Sequence, residues 1–170
     1  NVTIRSAAGT SNEDCIYIEN GQNLVFYNTD ISYCTSSGID LLSTQNVLIH
    51  SSHIHNLKGN GIILDQGGDI VNTIVTNTGN DSSILFTQSG QYRLLNSVVA
   101  YNGAAGPYVL YANNDAEDYN IELTNNVFYS VSGPLYFPTS TEVSADNNYF
   151  IKFLKNKDAK GIGEIFEIGS

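Results

Sequence analysis

The chain has no tryptophan and no methionine, and only two cysteines, three prolines and seven basic residues among its 170. The shortage of positive charge is the most restrictive of these. With 17 acidic residues against seven basic ones the net charge is −10, which argues against a nucleic-acid backbone or an anionic membrane surface as a partner. Anionic polysaccharides are disfavoured for the same reason. No run of 18 apolar residues occurs, so no membrane insertion is expected. No helix of any length is legible. No signal peptide stands at Asn1, and the residues Val2 to Arg5 already read as a strand without a polar cap before them. An uncapped edge of this kind is usually covered, so the chain is expected to be a fragment of a longer protein.

What the sequence does have is repetition. Asn46 to Gly68, NVLIHSSHIHNLKGNGIILDQGG, reads as three short strands joined by polar corners, and a shift of 23 residues lands on a copy, Asn23 to Gln45. One such unit cannot bury its own apolar face and must stack on its neighbours. A ladder of corner residues runs through Ser6, Asn28, Ser51, Asn72, Asn96, Asn125 and Asn147 at spacings of 22, 23, 21, 24, 29 and 22. Asparagine suits such a corner because it tolerates the left-handed backbone region, and stacked amides can hydrogen-bond along the axis. Two residues before each corner an apolar column is expected, Ile4, Phe26, Ile49, Ile70, Leu94, Leu123 and Ala145. Three residues after it comes another, Ile31, Ile54, Val75, Val99, Phe128 and Phe150. A further pair of columns begins Ile16, Ile39, Ile62, Ile84, Tyr108, Leu135 and, two residues on, Ile18, Leu41, Leu64, Phe86, Leu110, Phe137. Gly38 and Gly61 mark the tight turn before these strands, a slot taken later by Pro107 and Pro134.

The pattern predicts an all-β chain, a right-handed parallel β-helix (solenoid) of about seven coils with three parallel sheets, forming one domain over residues 1–170. Residues 151–170 are expected to be a last coil or a C-terminal cap. The Asn corner, strand, Gly and GIxL strand, as in Asn28 to Leu41 and Ser51 to Leu64, resemble the repeat of pectate-lyase-like right-handed β-helix proteins. The resemblance covers about Val2 to Phe150. It implies the fold. For function it implies a range, from lyases, hydrolases and epimerases, mostly acting on polysaccharides, to phage tailspikes and non-catalytic adhesins. In architecture alone the chain is also similar to the cellulose-binding tāpirins of bacterial surfaces.

Residues able to carry chemistry are few. A β-eliminating lyase of the resembled superfamily uses an Arg or Lys base beside calcium-holding carboxylates, but Arg5 and Arg93 are the only arginines and no Asp cluster is expected beside either. Asn28-Thr29-Asp30 matches the NTD triplet of polygalacturonases, yet the paired carboxylates that hydrolysis needs do not follow. Asn28 is expected to be structural. His50, His53 and His55 crowd one coil, with Asp30 stacked below His53. With no cysteine or second carboxylate in register, a solvated surface cluster is expected, and a metal or acid/base site is the alternative. Asp115, Glu117 and Asp118, in the loop Asn113 to Asp118, are candidate Ca²⁺ ligands. Calcium takes about six or more oxygens and this loop guarantees few, so a solvated acidic loop is the competing reading. Cys15 and Cys34 fall near one corner on adjacent coils, placed either for a disulfide or as buried free thiols.

The most informative feature is apolar surface where strand alternation points outward. One outward column is expected to read Tyr17, Asp40, Ile63, Leu85, Val109, Tyr136 and the next Glu19, Leu42, Asp65, Thr87, Tyr111, Pro138. A second, shorter row runs through Ile74, Val98, Val127 and Tyr149. A strip of this size marks a binding or packing face. Tyr17, Leu42, Ile63, Leu85, Val109, Tyr111 and Tyr136 are therefore the candidate ligand-binding residues. The expectation is a non-catalytic module of an extracellular or cell-surface protein, binding a neutral polysaccharide such as cellulose by ring stacking. The alternatives are a polysaccharide lyase or glycoside hydrolase, and a structural β-helix whose strip is covered by another domain or subunit.

Overall fold

A computed structural model of the chain describes residues 2–5, 13–76, 78–79, 81–101, 108–113, 118–130 and 135–151. Every element among them is a strand, and all pairings are parallel between successive coils. Sheet A has seven strands, from Val2–Arg5 to Tyr149–Ile151. Sheet B has six, from Ile16–Glu19 to Leu135–Tyr136, and sheet C has six, from Val25–Tyr27 to Glu142–Asp146. One strand from each sheet makes a coil, so the described strands close six coils, with Val2–Arg5 left over as an extra rung of sheet A. That is slightly fewer than the seven expected. The predicted last coil or cap lies almost wholly beyond Ile151, outside the described residues, as do Ser6, Pro107 and Pro134.

The corners form as their residue types predict. Asn28, Ser51, Asn72, Asn96, Asn125 and Asn147 all have φ between 48° and 55°, the left-handed region in which one residue swings the chain from sheet C into sheet A. Amide stacking joins Asn125 Nδ2 to Asn96 Oδ1 at 3.1 Å, and Asn46 Nδ2 to Asn23 Oδ1 at 3.2 Å on a second corner. Beside the corners runs a polar ladder that the sequence reading overlooked. The backbone N–H of Thr29 donates to Ser52 Oγ, that of Ser52 to Thr73 Oγ1, that of Thr73 to Ser97 Oγ, that of Ser97 to Asn126 Oδ1 and that of Asn126 to Asn148 Oδ1, at 2.9–3.4 Å. Each hydroxyl in turn donates to the carbonyl two residues earlier, as Ser97 Oγ does to Leu95 O at 2.9 Å. A buried N–H that the sharp turn would otherwise leave unpaired is thus satisfied by the following coil.

Inside the coil the columns stack as aliphatic and aromatic ladders. Ile31, Ile54, Val75, Val99, Phe128 and Phe150 are register partners in sheet A, and all are buried. Ile49, Ile70, Leu94 and Leu123 do the same in sheet C. Gly61 sits where no side chain fits, since a Cβ there would lie 2.4 Å from the Ser83 carbonyl oxygen. Two expectations about register are corrected. Ile4 pairs with Ile31 in sheet A and does not belong under Phe26. In sheet B the partner of Ile84 and Leu135 is Leu110, with Tyr108 two residues too early. The offset from Ile84 to Leu110 is 26 residues, against 22 from Ile62 to Ile84, so part of the extra length of the fifth coil precedes this strand.

Cys15 and Cys34 form a disulfide, with Cα atoms 5.4 Å apart, that ties the first strand of sheet B to the corner after sheet A. Closing a loop across a sequence separation of 19 is expected to contribute about 3 kcal/mol. Reduction should therefore lower the melting temperature of the wild type but not of a Cys15→Ser/Cys34→Ser variant, as read by calorimetry with and without reductant. For the core, Ile62 is fully buried, and Ile62→Asp is expected to cost about 4 kcal/mol or more and to abolish cooperative melting. Tyr17→Ser, on the outside of the same sheet, should cost less than about 0.5 kcal/mol.

Candidate functional site

The outward face of sheet B is built one side chain per rung. Tyr17, Asp40, Ile63, Leu85, Tyr111 and Tyr136 are consecutive register partners, which at about 4.8 Å per coil makes a column about 24 Å long. Tyr17 is 54% exposed and Leu42, beside it in the next column, 40%. Val109 is a correction. It is fully buried, because it occupies the corner before the strand, where Gly38, Gly61 and Ser83 sit in earlier coils, and its place in the column belongs to Tyr111. The face is not flat. Tyr108 joins Tyr111 and Tyr136 with ring centroids 4.6–5.2 Å apart and planes at 25°, 41° and 62°. The three rings form a tilted cluster at one end, Ile63 and Leu85 an aliphatic middle, and Asp40 with Tyr17 the other end.

Asp40 is the charged member of the column. Partial burial raises its carboxyl above the usual range, and the Asp14 and Asp65 carboxylates push the same way. Those two are held by donors. Asp14 Oδ1 accepts from Ser37 N–H at 2.7 Å, while the buried Asp65 accepts from Ser43 N–H at 2.7 Å and from Thr87 Oγ1 at 2.6 Å. Asp65 was expected to face outward, and these bonds fold it back onto the corner.

The three histidines are divided between two sheets, His53 and His55 on sheet A and His50 on sheet C. Asp30 and His53 are register partners, and His55 follows on the same face. Asp30 Oδ2 lies 3.4 Å from His55 Nε2 and 3.8 Å from His53 Nδ1, and the two imidazoles stack at 3.9 Å. The His55 side chain is only 18% exposed. Burial lowers the pKa of His53, His55 lowers it further, and Asp30 opposes both. His50 stands apart, stacked on Tyr27 with Ser51 Oγ at its Nδ1. Of the NTD triplet, Asn28 is a corner residue as expected, whereas Asp30 belongs to this group.

Arg93 has one carboxylate partner on the adjacent coil. It pairs in register with Asp69 and binds it through two nitrogens, Nε to Oδ1 at 2.7 Å and Nη2 to Oδ2. The one-coil separation of 24 residues was the available signal. The pair borders an open groove of about 760 Å³ lined also by Asn46, Leu48, Gln66 and Gly68. Asp115 and Glu117 lie outside the described residues. Asp118 is exposed, its backbone N–H bonded to Ser89 Oγ at 3.1 Å.

A family profile described as "Right handed beta helix region" matches residues 1–150. No curated protein and no solved structure matches the chain.

The position of Asp40 has a measurable consequence. A carboxyl whose pKa is raised by folding is neutral in both states at low pH, and its cost to stability sets in as the pH rises through the unfolded value and is complete above the folded one. Asp40→Asn should therefore raise the melting temperature at pH 7, and the gain should vanish as the pH falls below about 4. Calorimetry of wild type and variant at the two pH values checks the sign.

Proposed function

Since the chain belongs to the right-handed β-helix family, we propose that the outward face of sheet B binds a neutral polysaccharide such as cellulose, without catalysis, as part of a secreted or cell-surface protein. The observation that carries this reading is the cluster of Tyr108, Tyr111 and Tyr136 set at the end of the Leu85 and Ile63 column. Sugar CH groups stack on such rings and aliphatic side chains without charge pairing, which suits a chain of net charge −10. The Cys15–Cys34 bridge supports an oxidising compartment.

A second reading, glycoside hydrolysis, draws on one observation. Asp40, whose carboxyl partial burial raises toward the protonated form, stands near a second carboxylate, Asp65, and a raised carboxyl beside another is the kind of pair that glycoside hydrolysis uses.

Sedimentation with insoluble cellulose tests the first reading. Tyr111→Ala and Tyr136→Ala should each weaken binding by about 1 kcal/mol, roughly fivefold in Kd, and the double variant more, with the fold retained by circular dichroism. Binding should change little between low and high salt. A parent that does not bind, or a double variant that binds as well as the parent, overturns the proposal. Self-association in light scattering would then assign the face to a protein interface. Release of reducing ends that disappears in Asp40→Asn would assign it to hydrolysis.

A further inference from the structure

We propose that Asp30, His53 and His55 bind one divalent transition-metal ion of the zinc type on the outward face of sheet A. The site is separate from the sheet B face and stands whether or not that face binds sugar. Its geometry follows from the coil. Asp30 and His53 occupy the same position on adjacent rungs, and His55, two residues on, points to the same side of its strand. One donor atom from each of the three lies within 4.8 Å of the other two. In a tetrahedral zinc site with bonds of about 2.0–2.1 Å, neighbouring donor atoms are about 3.3 Å apart. The separations of 3.4 Å from Asp30 Oδ2 to His55 Nε2 and 3.8 Å to His53 Nδ1 need to close by only a few tenths of an ångström.

Two further observations point to a cation. Asp30 Oδ1 is buried without a hydrogen-bond partner, so the carboxylate is left short of positive partners on one oxygen. Each imidazole turns a nitrogen toward the same carboxylate oxygen, and because the rings are stacked with planes 15° apart, joint ligation requires them to splay about the ion. The remaining nitrogen of His55, Nδ1, lies 2.8 Å from Asn56 Nδ2, an arrangement in which the amide donates to Nδ1 and the ring proton sits on Nε2. Metal binding therefore requires this amide to turn so that its oxygen accepts Nδ1–H and leaves Nε2 free to ligate, the outer-sphere role common to metal-bound histidines. Two imidazoles and one carboxylate suit Zn²⁺, Co²⁺ or Ni²⁺ and are a poor set for Ca²⁺ or Mg²⁺, which take oxygens. With His53 44% and Asp30 38% exposed, the fourth tetrahedral position faces solvent, as in open sites and unlike closed structural ones.

The test is titration of tag-free protein with Zn²⁺ in a calorimeter and with Co²⁺ by visible absorption. Expected are one ion per chain, the intense absorption of four-coordinate Co²⁺, and a rise in melting temperature with Zn²⁺. His53→Gln and Asp30→Asn should each weaken Zn²⁺ binding at least about tenfold, while His50→Gln leaves it unchanged and excess Ca²⁺ does not compete. His53 is half-exposed, so its variant is expected to fold and to keep the proposal testable should Asp30→Asn not fold. No saturable Zn²⁺ binding overturns the site, as does binding that survives His53→Gln or is lost on His50→Gln.

Discussion

The structure depends on how the backbone is satisfied at its corners. A solenoid of short strands must turn three times per coil, and a turn made by one left-handed residue leaves an N–H that no ladder bond can reach. The column formed by Ser52, Thr73, Ser97, Asn126 and Asn148 supplies an oxygen to that N–H in the coil before. Each bond contributes little alone, about 1 kcal/mol, but leaving the buried donor unpaired would cost more than making the bond contributes. The column also locks the register between coils. A polar oxygen at the wrong height would miss its N–H, and the apolar ladders inside would be out of step.

Register in turn builds the sites. In a parallel coil, residues about one repeat apart in sequence stand about 4.8 Å apart in space. Asp30 meets His53, Asp69 meets Arg93 and Tyr111 meets Tyr136 only because their strands are matched residue for residue. The coil carries different chemistry on its three faces: an aromatic and aliphatic column with one perturbed carboxyl on sheet B, a carboxylate with two imidazoles on sheet A, and a bidentate ion pair beside an open groove on sheet C. None of the three needs a loop to hold it. Side chains on rigid, stacked strands hold their separations better than loops do.

The legible part of this architecture was whatever the period of two and the one-coil repeat control together. The corner ladder, the Ile31 and Ile49 columns, and Tyr17, Ile63 and Leu85 as outward residues follow from alternation, and the coordinates place them so. Reading failed where a coil changes length. The extra residues before Leu110 shifted the assigned strand by two, a slip that keeps alternation intact and leaves no trace in the hydrophobic pattern. It put the buried Val109 where Tyr111 belongs. The polar ladder was overlooked for another reason: Ser, Thr and Asn after a corner look like ordinary turn residues until the next coil is laid upon them.

From its sequence alone this protein is a stack of parallel coils with an apolar inside and asparagine corners, because repeat length, alternation and corner chemistry are local and each repeat states them again. Tertiary structure alone decided which side chains meet. The tilt of the Tyr108, Tyr111 and Tyr136 rings, the burial of Asp65 under Ser43 and Thr87, and the approach of Asp30 to both imidazoles depend on rotamers and on inter-coil register. Those are set by neighbours one repeat away, and a periodic pattern carries no information about distances of a few ångströms between side chains of different coils.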